Sequence, residues 1–317
     1  MHLRSNLLFA VLSASILAAQ TPPPAQDETP TFTLDTKLVA LHVSVLDKNS
    51  KLVTTLPQSA FKVFENNVEQ PLKIFNREDV PVSMGIIIDN SGSMREKRPK
   101  VAAAALELIK ASNPQDEVFI VDFNDQAFLD APFTNNIKKL EEVLDKIDTR
   151  GGTAMRDAIS MSIDYAKEHG KKSKKVLLVI TDGNDNTSEV TLEQLVRKAR
   201  QSEVLIYCIG LLNEEEPREG RAAKRALKEL AEASGGLDYY PKSLSEVETI
   251  TPQIAHEIRN QYILAYTPLN SALDGTFRAI KVTVNAPGHL TVRTRTGYFA
   301  NPAPPSKPGK QMGPGDK

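Results

Sequence analysis

The sequence predicts an α/β fold: a doubly wound, mostly parallel sheet with helices on both faces, inserted in a small antiparallel β-sandwich formed by the flanking segments. Three observations carry this. Residues 82–255 alternate short apolar runs with helical stretches, and the runs lack the every-second-residue polarity of a half-exposed strand. That suits strands covered on both faces. Residues 31–76 and 261–300 do alternate with period two, as short antiparallel strands do. Neither flank alone supplies a stable sheet, which takes roughly three or more strands with a buried face. Pairing of the two flanks into one sandwich is therefore the economical arrangement. Two separate β elements docked on the α/β unit are the alternative.

The elements follow in order. Residues 1–19 read as a signal peptide: Arg4 near the start, an apolar run from Leu7 to Leu17, then Ala18-Ala19. The run is too short for a spanning helix, which needs ~20 apolar residues. Residues 20–30, "QTPPPAQDETP", read as a proline-rich linker. Residues 31–80 form the first part of the sandwich, with "LVALHVSVLD" and "FKVFENNVEQPLKIFN" as strands and Asn66-Asn67 as a turn. The α/β domain spans 81–256. Its strands are "VSMGIIID", "EVFIVDF", "KVLLVIT", "VLIYCIG" and "LDYYP", with an edge hairpin at "QAFLDAPF". Its helices are "KVAAAALELIKAS", "IKKLEEVLDKI", "AMRDAISMSIDYAKEHG", "LEQLVRKARQ" and "AAKRALKELAEAS". Residues 257–300 form the second part of the sandwich, through "QYILAYTP", "FRAIKVTVN" and "LTVRTRTGYFA". Residues 301–317 read as a disordered, proline-rich tail.

Composition narrows the function. The formal net charge of -1 carries no basic footprint for nucleic acid, and the chain has no tryptophan for a stacking platform. Cys208 is the single cysteine and lies in an apolar run. An exported chain with one cysteine has no internal disulfide, and Cys208 reads as a small buried hydrophobe. The signal-like start places the mature chain outside the cytoplasm, secreted or periplasmic, and after signal cleavage no transmembrane segment is expected.

One constellation carries chemistry. "IIIDNSGSM" drives an apolar strand into Asp89, then Ser91 and Ser93 in the spacing D-x-S-x-S. Alternate residues of an extended segment point the same way, so these oxygens can converge. "RGGTAMRD" puts Thr153 after two glycines and before a helix, as an expected N-cap. "LLVITDGND" ends a second apolar strand on Asp182. In a doubly wound sheet, ligands bind beyond the carboxyl ends of the strands, where Asp89 and Asp182 both fall. Two carboxylates and three hydroxyls are hard oxygen ligands, suited to Mg²⁺ (or Mn²⁺ or Ca²⁺) and poor for zinc or copper. Neutral hydroxyls leave such an ion under-neutralised, so a carboxylate from a partner can complete its shell.

Asp89-x-Ser91-x-Ser93, Thr153 and Asp182 resemble the metal-ion-dependent adhesion site of von Willebrand factor type A (VWA) domains. The resemblance covers roughly residues 82–255 in strand–helix order as well as motif, and every motif position holds the family's residue type. It implies that the serines and the threonine ligate the ion directly or through water, with one aspartate often held further out. The 31–300 layout is also similar to a bacterial secreted group of VWFA-related proteins, in which β segments flank such a domain. The expected function is an exported, metal-dependent protein-binding or adhesion module that captures an acidic residue of a protein partner. A Mg²⁺-dependent phosphohydrolase and a scaffold with a purely structural ion are the alternatives.

Enzymatic readings lack parts. None of His2, His42, His169, His256 and His289 falls at a strand end on the site rim, so a serine nucleophile has no base. "HEIRN" lacks the second histidine of a zinc protease. A phosphohydrolase wants a basic residue on the rim; Arg95, Lys97 and Arg156 are available and read equally well as exposed helix charges. Asp185 reads as a solvated turn residue. Asp122 and Asn124 are explained by a hairpin turn, with support of the site as the other reading. "NEEEPREGRAAKR" reads as a solvated charged loop.

Overall fold

In the computed structural model the described residues are 38–301 apart from 50, 78, 147–148, 184 and 213–216. The expected signal peptide, the proline-rich linker and nearly all of the tail lie outside them, as do 213–216 of the charged stretch; the rest of that stretch, 217–225, is helical rather than loop. The first flank folds into β1 (Val39–Leu46), β2 (Phe61–Glu65), β3 (Val68–Gln70) and β4 (Leu72–Asn76). The α/β unit follows: β5 (Val82–Asp89), α1 (Arg98–Lys110), β6 (Glu117–Phe123), β7 (Ala127–Thr134), α2 (Ile137–Leu144), α3 (Met155–His169), β8 (Lys174–Thr181), α4 (Leu192–Ser202), β9 (Leu205–Gly210), α5 (Pro217–Ser234), β10 (Asp238–Tyr239) and α6 (Leu244–Arg259). The second flank gives β11 (Tyr262–Tyr266), β12 (Phe277–Val284), β13 (Thr291–Arg293) and β14 (Gly297–Phe299).

All eight residues of β5 are buried, which is why its sequence shows no alternation. It sits inside a sheet of order β10-β9-β8-β5-β6-β7, parallel to β8 and β6, with only the edge strand β7 antiparallel. Its side chains still alternate between faces. Met84, Ile86 and Ile88 pack with Val101 and Leu108 of α1, Leu140 of α2 and Ile254 of α6. Ile87 packs on the other face with Ile159 of α3, Leu195 of α4 and Leu227 of α5. Gly85 lets β5 and β6 lie this close: a Cβ there would stand 2.3 Å from the Phe119 ring.

The flanks interleave. One four-stranded sheet runs β13-β1-β11-β4 and the other β14-β12-β2-β3, so each holds strands from both ends of the chain. Their inner faces share one core of Leu41, Val43, Phe61, Val63, Tyr262, Leu264 and Tyr266. This is the sandwich the alternation predicted, rather than two independent β elements. Asn66 and Asn67 make the β2–β3 hairpin with φ of 47° and 66°, the left-handed conformation a two-residue turn requires. The sandwich grips the α/β unit through a buried carboxylate. Glu257 of α6 accepts from Ser44 Oγ of β1 (2.8 Å), Tyr239 OH (3.0 Å) and Tyr207 OH (3.3 Å).

Two features depart from the sequence reading. The run "LTVRTRTGYFA" is divided: β13 pairs with β1 and β14 with β12, so the chain crosses between sheets at 294–296. Buried Arg295 marks the crossing and donates from Nη2 to the Ala40 carbonyl at 2.9 Å. Helix α6 is new; Pro252 lies inside it and disguised its period. Cys208 is fully buried and free, as expected. Among the described residues no helix is long and apolar enough to cross a membrane.

Candidate metal centre

Strand β5 carries Asp89 to the sheet rim, where the carboxylate is fully buried. Ser91 N–H donates to its Oδ1 at 2.9 Å and Thr181 Oγ1 to its Oδ2 at 2.6 Å. Burial pushes this carboxyl above its ordinary range, and the bonds from Thr181 and Ser91 pull it back. After Ser91, in extended conformation, Gly92–Met94 turn tightly as a 3-10 segment. The turn stacks the two serines: Ser91 Oγ lies 3.1 Å from Ser93 Oγ, and Ser93 Oγ donates to Asp182 Oδ1 at 2.8 Å. Asp182 follows β8, parallel to β5, so the register of the sheet puts both aspartates on one rim.

Thr153 comes from the loop ahead of α3. That loop is pinned by main-chain bonds: Gly92 N–H to the Gly151 carbonyl (3.2 Å), Arg150 N–H to the Asn90 carbonyl (2.9 Å) and Ala154 N–H to the Asn124 carbonyl (2.6 Å). Gly152 N–H donates to Asp125 Oδ1 at 2.8 Å. Gly151 has φ 76°, and a Cβ on it would meet Asp125 Oδ2 at 2.1 Å, so both glycine traits are used. Thr153 N–H donates to Asn186 Oδ1 at 2.9 Å. Thr153 is not the N-cap of α3. Ala154 holds that place, without a side-chain cap, because the loop is held by main-chain and Asp125 bonds instead. The structure thus links Asp89, Ser91, Ser93 and Asp182 by hydrogen bonds. Thr153 is buried beside the Asp182–Gly183 turn, and a Cβ on Gly183 would lie 3.9 Å from its Oγ1.

The structure decides between the readings left open for several neighbours and corrects that of Asp185. Lys97 is not a spectator helix charge: its Nζ lies 2.5 Å from Asp182 Oδ2, with its side chain 27% exposed and that of Asp182 1%. Asp185 is not a solvated turn residue. Its side chain, 5% exposed, lies against Arg156, whose Nη2 reaches Oδ1 at 2.8 Å and whose main-chain N–H reaches Oδ2 at 2.7 Å. Asp122 and Asn124 are both buried, Asp122 accepting from Asn90 Nδ2 at 3.0 Å and Asn124 holding the Thr153 loop through its carbonyl. Thr181 had a readable signal, as the hydroxyl residue directly before Asp182 on β8.

The donor set fits a hard divalent ion. Six oxygens about 2.1 Å from Mg²⁺ stand about 3 Å from one another. The Ser91–Ser93 and Ser93–Asp182 separations of 3.1 Å and 2.8 Å have that spacing. Lys97 already places a cation against Asp182. Among the described residues no group of three or more His, Cys, Asp or Glu is placed to hold a metal, so a site here rests on its hydroxyls.

A doubly wound sheet with a mixed hydroxyl and carboxylate rim at its carboxyl edge defines the class. The chain belongs to the von Willebrand factor type A domain family, whose sequence model matches residues 84–253. An uncharacterized protein of Borreliella burgdorferi is 24% identical over 217 residues, 65% of this chain and 60% of that protein. Mouse integrin alpha-11 is 31% identical over 104 residues, 31% of this chain and 9% of the integrin. This chain therefore spans under two thirds of either relative. A solved von Willebrand factor type A structure from Catenulispora acidiphila is 14% identical, with TM-score 0.48 over 74% of this chain and 75% of that one.

Proposed function

We propose that this protein is an exported binding module that holds Mg²⁺, or Mn²⁺ or Ca²⁺, through Ser91, Ser93 and Thr153 with Asp89 and Asp182. A bound ion would supply an electrophilic position for a carboxylate of a protein partner. The observation that carries the reading is the run of oxygens from Ser91 through Ser93 to Asp182, spaced 3.1 Å and 2.8 Å. The chain's own residues do the positioning. Thr181 and the Ser91 amide fix the Asp89 carboxylate, and the bonds that pin residues 150–154 hold Thr153 against the rim. Family membership supports an interaction module rather than an enzyme. The phosphohydrolase alternative wants a free basic residue on the rim, whereas Lys97 is engaged with Asp182. Export rests on the signal-like residues 1–19.

Thermal melting with and without Mg²⁺ tests the site. A ligand at 100 times its Kd stabilises by ~2.7 kcal/mol. Wild type should gain stability with Mg²⁺ and Ser93→Ala should gain much less; no metal-dependent gain in wild type refutes the site. Pull-down from the producing organism's envelope and medium, repeated with chelator, tests capture. Partners retained equally with chelator refute metal-dependent binding.

A further inference from the structure

At the opposite end of β8 from the candidate metal centre, the sandwich and the α/β unit border a partly open cavity of about 200 Å³. Its lining includes His42 of β1, Lys174 at the start of β8, Arg295 of the sheet crossing, Ser173, Ser234 and Glu203. The positive groups there are poorly answered. Lys174 is buried, and its ammonium donates to the Ile258 main-chain carbonyl. Its carboxylate neighbours Glu257, Asp79 and Asp116 act on it only through space, and none of them lines the cavity. Arg295 is buried, with Nη1 3.8 Å from Glu203 Oε1, a side chain that is itself 57% exposed. Two buried nitrogens have no hydrogen-bond partner among the described residues: Arg295 Nε and His42 Nδ1.

Buried donors left without acceptors cost free energy, and buried charges without partners cost more. The cavity has room for several waters at about 30 Å³ each. Water would satisfy the donors and leave the charge. A compact oxyanion would do both. We propose that this cavity binds a compact oxyanion, a phosphate or a carboxylate group, between His42, Lys174 and Arg295, and so ties the sandwich to the α/β unit. The ionisation of the lining agrees with an excess of positive groups, Glu203, 57% exposed, being the carboxylate that lines it. Burial, then Lys174 and Arg295, hold His42 neutral with a pKa of about 3, and burial brings Lys174 down to about 7.

The test uses the full chain in chelator, which silences the metal centre. Melting temperature and binding heat are followed with sodium phosphate and with sodium acetate, against sodium chloride at equal ionic strength. The two arms separate phosphate from carboxylate preference. Saturable stabilisation beyond the chloride control is expected in at least one arm. Losing one charge-assisted bond should weaken binding about tenfold or more in His42→Leu and in Lys174→Met. Should either variant fold poorly, the ring resonances of His42 in wild type, assigned by their absence in His42→Gln, give a second readout. They should move with the effective anion while those of His256 and His289 stay. Equal binding in wild type and variants, His42 resonances that do not move, or melting that tracks ionic strength alone would each overturn the proposal.

Discussion

Replacing Lys97 with methionine keeps the apolar stem and removes the ammonium that lies 2.5 Å from Asp182 Oδ2. The size of the effect follows from the environment. A pair of unit charges ~4 Å apart attracts by about 4 kcal/mol at an effective dielectric near 20. The Lys97 side chain is 27% exposed, so solvent screens it and a long stem lets it leave, and a net of about 1 kcal/mol remains. Without metal, Lys97→Met leaves the Asp182 carboxylate, 1% exposed, without its cation and held by the Ser93 hydroxyl. The variant should melt about 2–4 °C lower in chelator. With Mg²⁺ the order reverses, because the ion no longer competes with an internal cation. Affinity should rise about fivefold, as about 1 kcal/mol implies. Calorimetric titration of Mg²⁺ or Mn²⁺ into wild type, Lys97→Met and Lys97→Arg reads this directly. Wild type that binds metal while Lys97→Met binds it equally or more weakly refutes the competition. Lys97→Arg should resemble wild type.

Further outcomes concern the scaffold. Thr181→Val removes the 2.6 Å bond to buried Asp89 and should cost about 1.5–3 kcal/mol in urea melts; a change under half of that would show the bond to be expendable. Gly85→Ala forces a methyl to within 2.3 Å of the Phe119 ring and should cost about 1–3 kcal/mol with an unchanged denaturant slope. His42 titrates near 6.5 when unfolded and near 3 when folded. The unfolded chain therefore binds the extra proton between those values, and stability falls as pH drops from about 6.5 towards 3. His42→Gln should flatten that part of the curve, and an identical acid limb would remove His42 from the explanation.

Much of the fold was readable because burial on both faces leaves a plain trace. The strands β5, β6, β8 and β9 are buried along nearly their whole length, and their sequences are near-continuous apolar runs. The flanks were readable for the opposite reason: β12 buries every second residue over most of its length. Helix α6 was hidden because Pro252 breaks a helical pattern that packing of Val247, Ile254 and Ile258 nevertheless sustains. The division of β13 from β14 is decided by which sheet each end meets, and period-two alternation is the same in both. At the site, residue types and spacing pointed to Asp89, Ser91, Ser93 and Asp182, which hydrogen bonds link in the structure. Pairing could not be read. Lys97 lies on Asp182, and Asp185 on Arg156, only because separate segments meet in space. Asp125 and Asn186 hold the Thr153 loop from such separate segments, without a local signal.

The seat of β11 between β1 and β4 has a mechanical consequence. The chain leaves the sandwich after β4 and re-enters it at β11, and Asn76 lies directly across from Ile263. The α/β unit therefore hangs from two adjacent strands like a pendant from a closed clasp. Tension applied through β1 and β14 runs across the sandwich ladders and reaches the pendant through side contacts such as Ser44 with Glu257, and along its own chain only once the β4–β11 ladder parts. A grip formed at the rim of the α/β unit is loaded in another way, along the short path from Asp89 back through β5 to that same clasp.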